Sequence, residues 1–135
     1  MARIFKTAAS LKVVGDEVIP DQITRLLGKR PDIARLAGET FQTPSGADVI
    51  SRKGHWSISV DRRTSGDLDL QIAELLSGTT QDLEVWTGLA NECEVRVFCG
   101  LFLEEWNEGI RLSATSMKQL GERGIGLELD IYGPK

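Results

Sequence analysis

One histidine, one tyrosine and two cysteines in 135 residues leave little material for metal or nucleophilic chemistry. A zinc site draws about four ligands from His, Cys and carboxylates. A catalytic cysteine needs an activating group beside it, and His55 is distant in sequence from both Cys93 and Cys99. The two cysteines fall six residues apart in one extended segment, about 20 Å at ~3.3 Å per residue, beyond the ~7 Å reach of a disulfide. They read as small buried hydrophobes in a reducing cytoplasm. Lys6 and Lys12 break the N-terminal stretch, so the apolar run of roughly 7–15 residues of a secretory signal is missing. No window approaches the ~18–20 apolar residues of a membrane span. The expectation is a cytoplasmic domain with no membrane partner, no cofactor and no metal.

An excess of positive charge is also missing. Sixteen Lys and Arg stand against twenty Asp and Glu, a net charge of −4, so a general affinity for nucleic acid is not expected. The charge is unevenly spread. Residues 1–66 carry eleven basic and seven acidic side chains, a net of +4; residues 67–135 carry five and thirteen, a net of −8. A fold that keeps the halves apart is electrically polar, which guides a partner or promotes head-to-tail self-association. A fold that interleaves them in one sheet cancels the effect.

With 41% apolar residues, the chain is long enough for one domain with a substantial core, residues 1–135. From Phe5 to Val13 apolar and polar residues alternate, the period of a half-covered strand. Pro20 and Asp21 open a short helix with Ile23, Leu26 and Leu27 inward, stopped by Gly28. Pro31 opens another helical turn carrying Ile33 and Leu36. Thr40–Thr43 and Ala47–Ser51 flank Pro44-Ser45-Gly46, a short exposed hairpin. His55 to Val60 reads as a strand with Trp56, Ile58 and Val60 inward. Asp67–Ser77 and Thr80–Asn91 are amphipathic helices. The longest strand follows, with Cys93, Val95, Val97, Cys99, Leu101 and Leu103 on one face. Its other face holds Phe98 and Phe102 among Glu94, Arg96 and Glu104, so that face is partly covered or partly sticky. Ser113 caps a helix running to about Arg123, with Leu112 and Met117 as a hydrophobic staple. The last strand places Ile125, Leu127, Leu129 and Ile131 on one face and Glu128, Asp130 and Tyr132 on the other. The sum is an α+β fold, a mainly antiparallel sheet with helices on one face, a ferredoxin-like variant enlarged by an inserted helix pair.

Several segments recur in a known order: Ala9-Ser10-Leu11, Ile23-Thr24-Arg25-Leu26-Leu27-Gly28 followed by Pro31, His55-Trp56-Ser57-Ile58, the Leu75-Leu76 helix and Leu129-Asp130-Ile131-Tyr132. Together they resemble the bacterial family catalogued as domain of unknown function 4279, over about residues 4–133. The resemblance implies a small bacterial domain without an established activity, and it supplies no catalytic residues.

Three constellations bear on function. Trp56 with Arg62 and Arg63, near Arg52, Lys53 and His55, is either a basic groove with an aromatic platform or a core tryptophan beside solvated strand ends. Glu104, Glu105 and Trp106, with Glu108, form an acidic patch around an aromatic residue, or a solvated turn. The glycine cluster Gly121 to Gly126 follows a helix and precedes a strand, the reverse of a phosphate cradle, and reads as a helix stop. The expected function is a non-catalytic protein-binding module, in one form immunity- or antitoxin-like. The alternative is a small-molecule sensor or enzyme with a pocket between sheet and helices, lined by Trp56, Trp86 and Arg62.

Overall fold

A computed structural model describes residues 2–135. The elements run β1 (Lys6–Gly15), α1 (Pro20–Leu27), β2 (Ile33–Arg35), β3 (Thr40–Gln42), β4 (Asp48–Ile50), β5 (Gly54–Thr64), α2 (Leu68–Leu76), α3 (Leu83–Glu92), β6 (Glu94–Phe102), α4 (Ala114–Glu122) and β7 (Gly126–Tyr132). The fold is α+β. Five strands form one sheet in the order β2-β5-β1-β6-β7, antiparallel except for the β6–β7 pair, and β3–β4 make a separate hairpin. β6–α4–β7 is a parallel crossover between adjacent strands, while β1–α1–β2 and β5–α2–α3–β6 each join parallel strands with one antiparallel strand between them. β1 and β5 are antiparallel neighbours although α1 lies between them in sequence.

The alternation of β1 sets the layers. Thr7, Ala9, Leu11 and Val13 are buried under the helices, with Lys6, Ala8, Ser10 and Lys12 on the other face. Leu11, Val13, Trp56, Val97 and Cys99 from the sheet meet Leu27, Ile72, Leu75 and Trp86 from the helices in one core. Asp69 joins two helices: its carboxylate accepts the Ser113 N–H at 2.9 Å and the Ser116 hydroxyl at 2.7 Å. The Ser113 hydroxyl in turn caps α4 by accepting from the Ser116 N–H. At the end of α4 the Ile125 N–H donates to the Leu120 carbonyl and Gly124 takes a φ of 69°, so the glycine cluster is a helix stop.

Three local expectations are corrected. The segment after Pro31 is not helical: Ile33–Arg35 forms β2 on the edge of β5, leaving Ile33 and Leu36 exposed. The Asp32 N–H donates to the Ser57 carbonyl, and the Asp32 carboxylate accepts from the Ser59 N–H, which docks the segment as a strand. Met117 is exposed, so it does not staple α4 to Leu112; the link through Asp69 holds that end. The apolar face of the last strand is not core, as described below.

Two predictions follow from these contacts. Gly54 begins β5 against the carbonyl oxygen of Val18, which a Cβ at that position would approach to 2.0 Å. Gly54→Ala is therefore expected to cost about 3 kcal/mol or more, read from the urea midpoint; a loss below about 1 kcal/mol contradicts this packing. Burial pulls the Asp69 pKa up, but the Ser113 N–H, the two serine hydroxyls and Arg111 outweigh it and hold the carboxyl below its ordinary value. A depressed folded pKa gives stability that is present above the unfolded value near about 4 and is lost as pH falls through the folded one. Asp69→Asn should therefore flatten the acid limb of the stability–pH curve below about pH 4, and an unchanged slope would contradict the assignment.

Candidate functional site on the uncovered side of the sheet

The helices leave one sheet face bare. On it, small residues on the inner strands (Ala8, Ser10, Ser59 and Gly100) leave a floor between larger neighbours. Phe102 leans over Gly100, where an added Cβ would meet its ring at 3.1 Å. Its ring stacks on Tyr132 of β7 with centroids 4.8 Å apart and planes 7° from parallel. Three cations gather at these rings: Lys6 at 5.0 Å and Arg62 at 4.9 Å from the Phe102 centroid, and Lys12 at 4.6 Å from that of Phe98. Among the described residues, none of the three has a carboxylate within ion-pair distance. Arg96, on the same face, does pair, with Glu94 and with Glu128 at 3.9 Å. Desolvation by burial, with the Arg96 charge, lowers the Lys12 pKa.

A bulge decides which arginine reaches this face. Ala9 pairs with Val60 and Thr7 with Arg63, so Asp61 and Arg62 together oppose Ala8. The extra residue shifts the alternation. Arg62 lies over the Phe102 ring, whereas Arg63 is sent toward the helices, 4.0 Å from Glu74 of α2. The two arginines thus act on opposite faces. Gln71 of α2, fully buried, holds the bulge: its Nε2 donates to the carbonyls of Asp61 and Thr7, each at 3.0 Å, and its Oε1 accepts the Thr7 hydroxyl at 2.6 Å.

The other sequence candidates separate. Trp56 is fully buried and its Nε1 donates to Thr24 Oγ1 at 3.1 Å, closing α1 onto β5. Trp86 is also fully buried, its Nε1 donating to the Thr80 carbonyl. With Arg62 on the opposite face, these three do not line one pocket between sheet and helices. Glu104 and Glu105 are exposed, and Trp106, 81% exposed, lies over Gly133. Glu108 is not free: its carboxylate accepts the N–H groups of Phe5 and Glu104 and so ties the turn to β1.

Burial shifts both thiols and the one imidazole. Burial pushes the Cys99 thiol up to about 12, and burial with the Glu92 charge raises that of Cys93. His55 is half-buried at 3.1 Å from the Ser57 hydroxyl, and desolvation with the charges of Lys12, Arg35 and Arg96 lowers its pKa. Among the described residues no cluster of His, Cys, Asp and Glu could hold a metal ion, and no helix is long and apolar enough to cross a membrane.

The free edge of the sheet is the second exposed feature. The Leu103 N–H donates to the Tyr132 carbonyl, so Tyr132, Asp130 and Glu128 turn their backbone groups toward β6. By alternation, Leu127, Leu129 and Ile131 turn theirs outward. Their side chains continue the apolar layer of Val97, Cys99 and Leu101 past the edge of the helices, and are 40%, 44% and 60% exposed.

A family model described as Domain of unknown function (DUF4279) matches residues 5–134, from just before β1 to just beyond β7. The chain belongs to this family. No curated protein and no solved structure matches it. The matched span contains both exposed features, so the bare face and the free edge are parts of the family domain.

The sequence signal missed for this face was the cations. Phe98 and Phe102 stood out as aromatics on a polar face, but Lys6 and Lys12 read only as polar positions in the alternation from Phe5 to Val13. The Gln71 contact is testable. Gln71→Leu keeps the volume but leaves the buried Thr7 hydroxyl without an acceptor and the Asp61 carbonyl without the amide donor, an expected loss of about 2–4 kcal/mol in urea unfolding. A variant as stable as the parent would show that the bulge does not depend on Gln71.

Proposed function

We propose that the domain is a non-catalytic protein-binding module that accepts an extended segment of a partner along β7. The observation that carries this reading is the free β7 edge, with outward backbone groups at Leu127, Leu129 and Ile131 and an uncovered apolar strip beneath them. Natural edge strands are blunted by short length, proline, lysine or a bulge. The opposite edge, β2, has three residues, whereas β7 has seven, with no proline, lysine or bulge and only the charges of Glu128 and Asp130 on its other face.

Charge defines the partner. Glu128 and Asp130 occupy the other face of β7, so the matching segment alternates apolar residues with Lys or Arg. Two copies paired antiparallel about Leu129 would instead set Glu128 opposite Asp130 of the second copy, and like charges placed so are unfavourable. Sheet order reinforces the preference. Strands of the basic half, β2, β5 and β1, lie together and those of the acidic half, β6 and β7, lie at the other end. An immunity- or antitoxin-like protein, laying an acidic edge into a basic groove, is one form of this reading.

A peptide alternating Val or Ile with Lys is expected to bind the full chain more tightly than the same peptide with Glu for Lys. Glu128→Lys with Asp130→Lys should reverse that order, each change being about tenfold in Kd by fluorescence anisotropy. Leu129→Pro, which removes an outward N–H and leaves the β6 ladder intact, should weaken both. Equal binding of the two peptides by the wild type, or a Leu129→Pro variant that binds unchanged, would refute strand addition at β7.

A further inference from the structure

The end of the bare face where Lys6 and Arg62 meet the stacked rings encloses a concavity of about 870 Å³. Its wall includes Lys6, Arg62, Lys135, Phe102 and Tyr132, with Glu104 as its one carboxylate. A second hollow of about 300 Å³ continues from it across Arg62, Phe102 and Tyr132, over the small floor residues, and is bordered by Lys12 and no carboxylate. Four cations against the Glu104 carboxylate and Asp130, which accepts the Tyr132 hydroxyl at 2.6 Å, leave this site positive on a chain whose net charge is −4. The size falls within the ~300–1,000 Å³ of small-ligand sites.

The rings specify the rest. Arg62 and Lys6 sit about the Phe102 ring, and Tyr132 stacks against it. A flat group laid across the exposed edges of the Phe102–Tyr132 pair meets them edge to face, a geometry aromatic pairs favour, and stays beside both cations. The cations beside it sit at the edge of an apolar wall made by Phe5, Leu103 and Ile131. A charged group on the ligand would meet Lys6 and Arg62 there, neither of which has a carboxylate within ion-pair distance among the described residues.

We propose that this concavity binds a small organic anion built on a flat ring, the ring against the exposed edges of the Phe102–Tyr132 pair and the anionic group between Lys6 and Arg62. The site shares Tyr132 and Ile131 with β7 but rests on the side chains of Lys6, Arg62 and Phe102 from β1, β5 and β6, and strand addition does not require those. The anionic group is a carboxylate or a phosphate, and the probes below separate the two.

Amide NMR of the full chain during titration with indole-3-carboxylate and with adenosine monophosphate tests the site, with indole and adenosine as uncharged controls. At least one anion should move the Ser10, Gly100 and Tyr132 resonances at millimolar concentration, with its neutral parent at least about tenfold weaker. Whichever anion binds identifies the group. Arg62→Ala should weaken binding about tenfold and Arg62→Lys much less; Arg62 is exposed, so the remaining spectrum serves as the folding control. Lys6→Gln supplies a second, independent loss. The proposal is overturned if neither anion moves these resonances, if the neutral rings bind as well, or if both Arg62→Ala and Lys6→Gln bind like the parent.

Discussion

The sheet is wider than the helix layer that covers it. Of the four helices of eight to ten residues, each about 12–15 Å long, α1 and α2 pack over β5 and β1, α3 over β6, and α4 reaches β7. That last cover is partial, and the β7 side chains stay exposed. Burying apolar surface is worth about 25 cal/mol per Å², so the covered strands define the core and the remainder is left for other uses. The apolar strip of Leu127, Leu129 and Ile131 continues the same pattern without the same cover. The bare face follows from the same arrangement, because with helices on one side every strand turns its alternate residues to solvent.

Within that frame, one buried glutamine places the cations. An inserted residue in β5 breaks the alternation opposite Ala8, and the carbonyl freed there would be costly to bury without a donor. Gln71 supplies it from α2. The consequence reaches the bare face, where Arg62 comes to rest over Phe102, and the helix side, where Arg63 meets Glu74. The charge imbalance of the two halves also survives folding. The antiparallel contact of β1 with β6 is the seam between a basic and an acidic end of the sheet.

Much of this fold is legible in the sequence because strong alternation and glycine stops act locally. The two faces of β1 and β6, the start of α1 at Pro20, the hairpin around Pro44-Ser45-Gly46, the Ser113 cap and the stop at Gly124 all follow from neighbouring residues. The misses come from partners far along the chain. Asp32 turns the Pro31 segment into a strand through Ser57 and Ser59, which no local propensity contains. The bulge depends on a glutamine ten residues beyond Asp61. The exposure of β7 is a matter of how far a helix layer extends, and its alternation is indistinguishable from that of a buried strand. The candidate site was legible in part. Arg62 and the aromatic face of β6 stood out, but Trp56 belongs to the core, and the role of Lys6 and Lys12 emerges only when β1 and β6 are laid side by side.

The central claim is that β7 is an open edge. Amide hydrogen exchange of the isolated chain tests it residue by residue. The account predicts alternating protection along β7, slow at Glu128, Asp130 and Tyr132, whose N–H groups face β6, and fast at Leu127, Leu129 and Ile131. Uniformly slow exchange across all six residues would mean that the outer edge is already paired, and would contradict it.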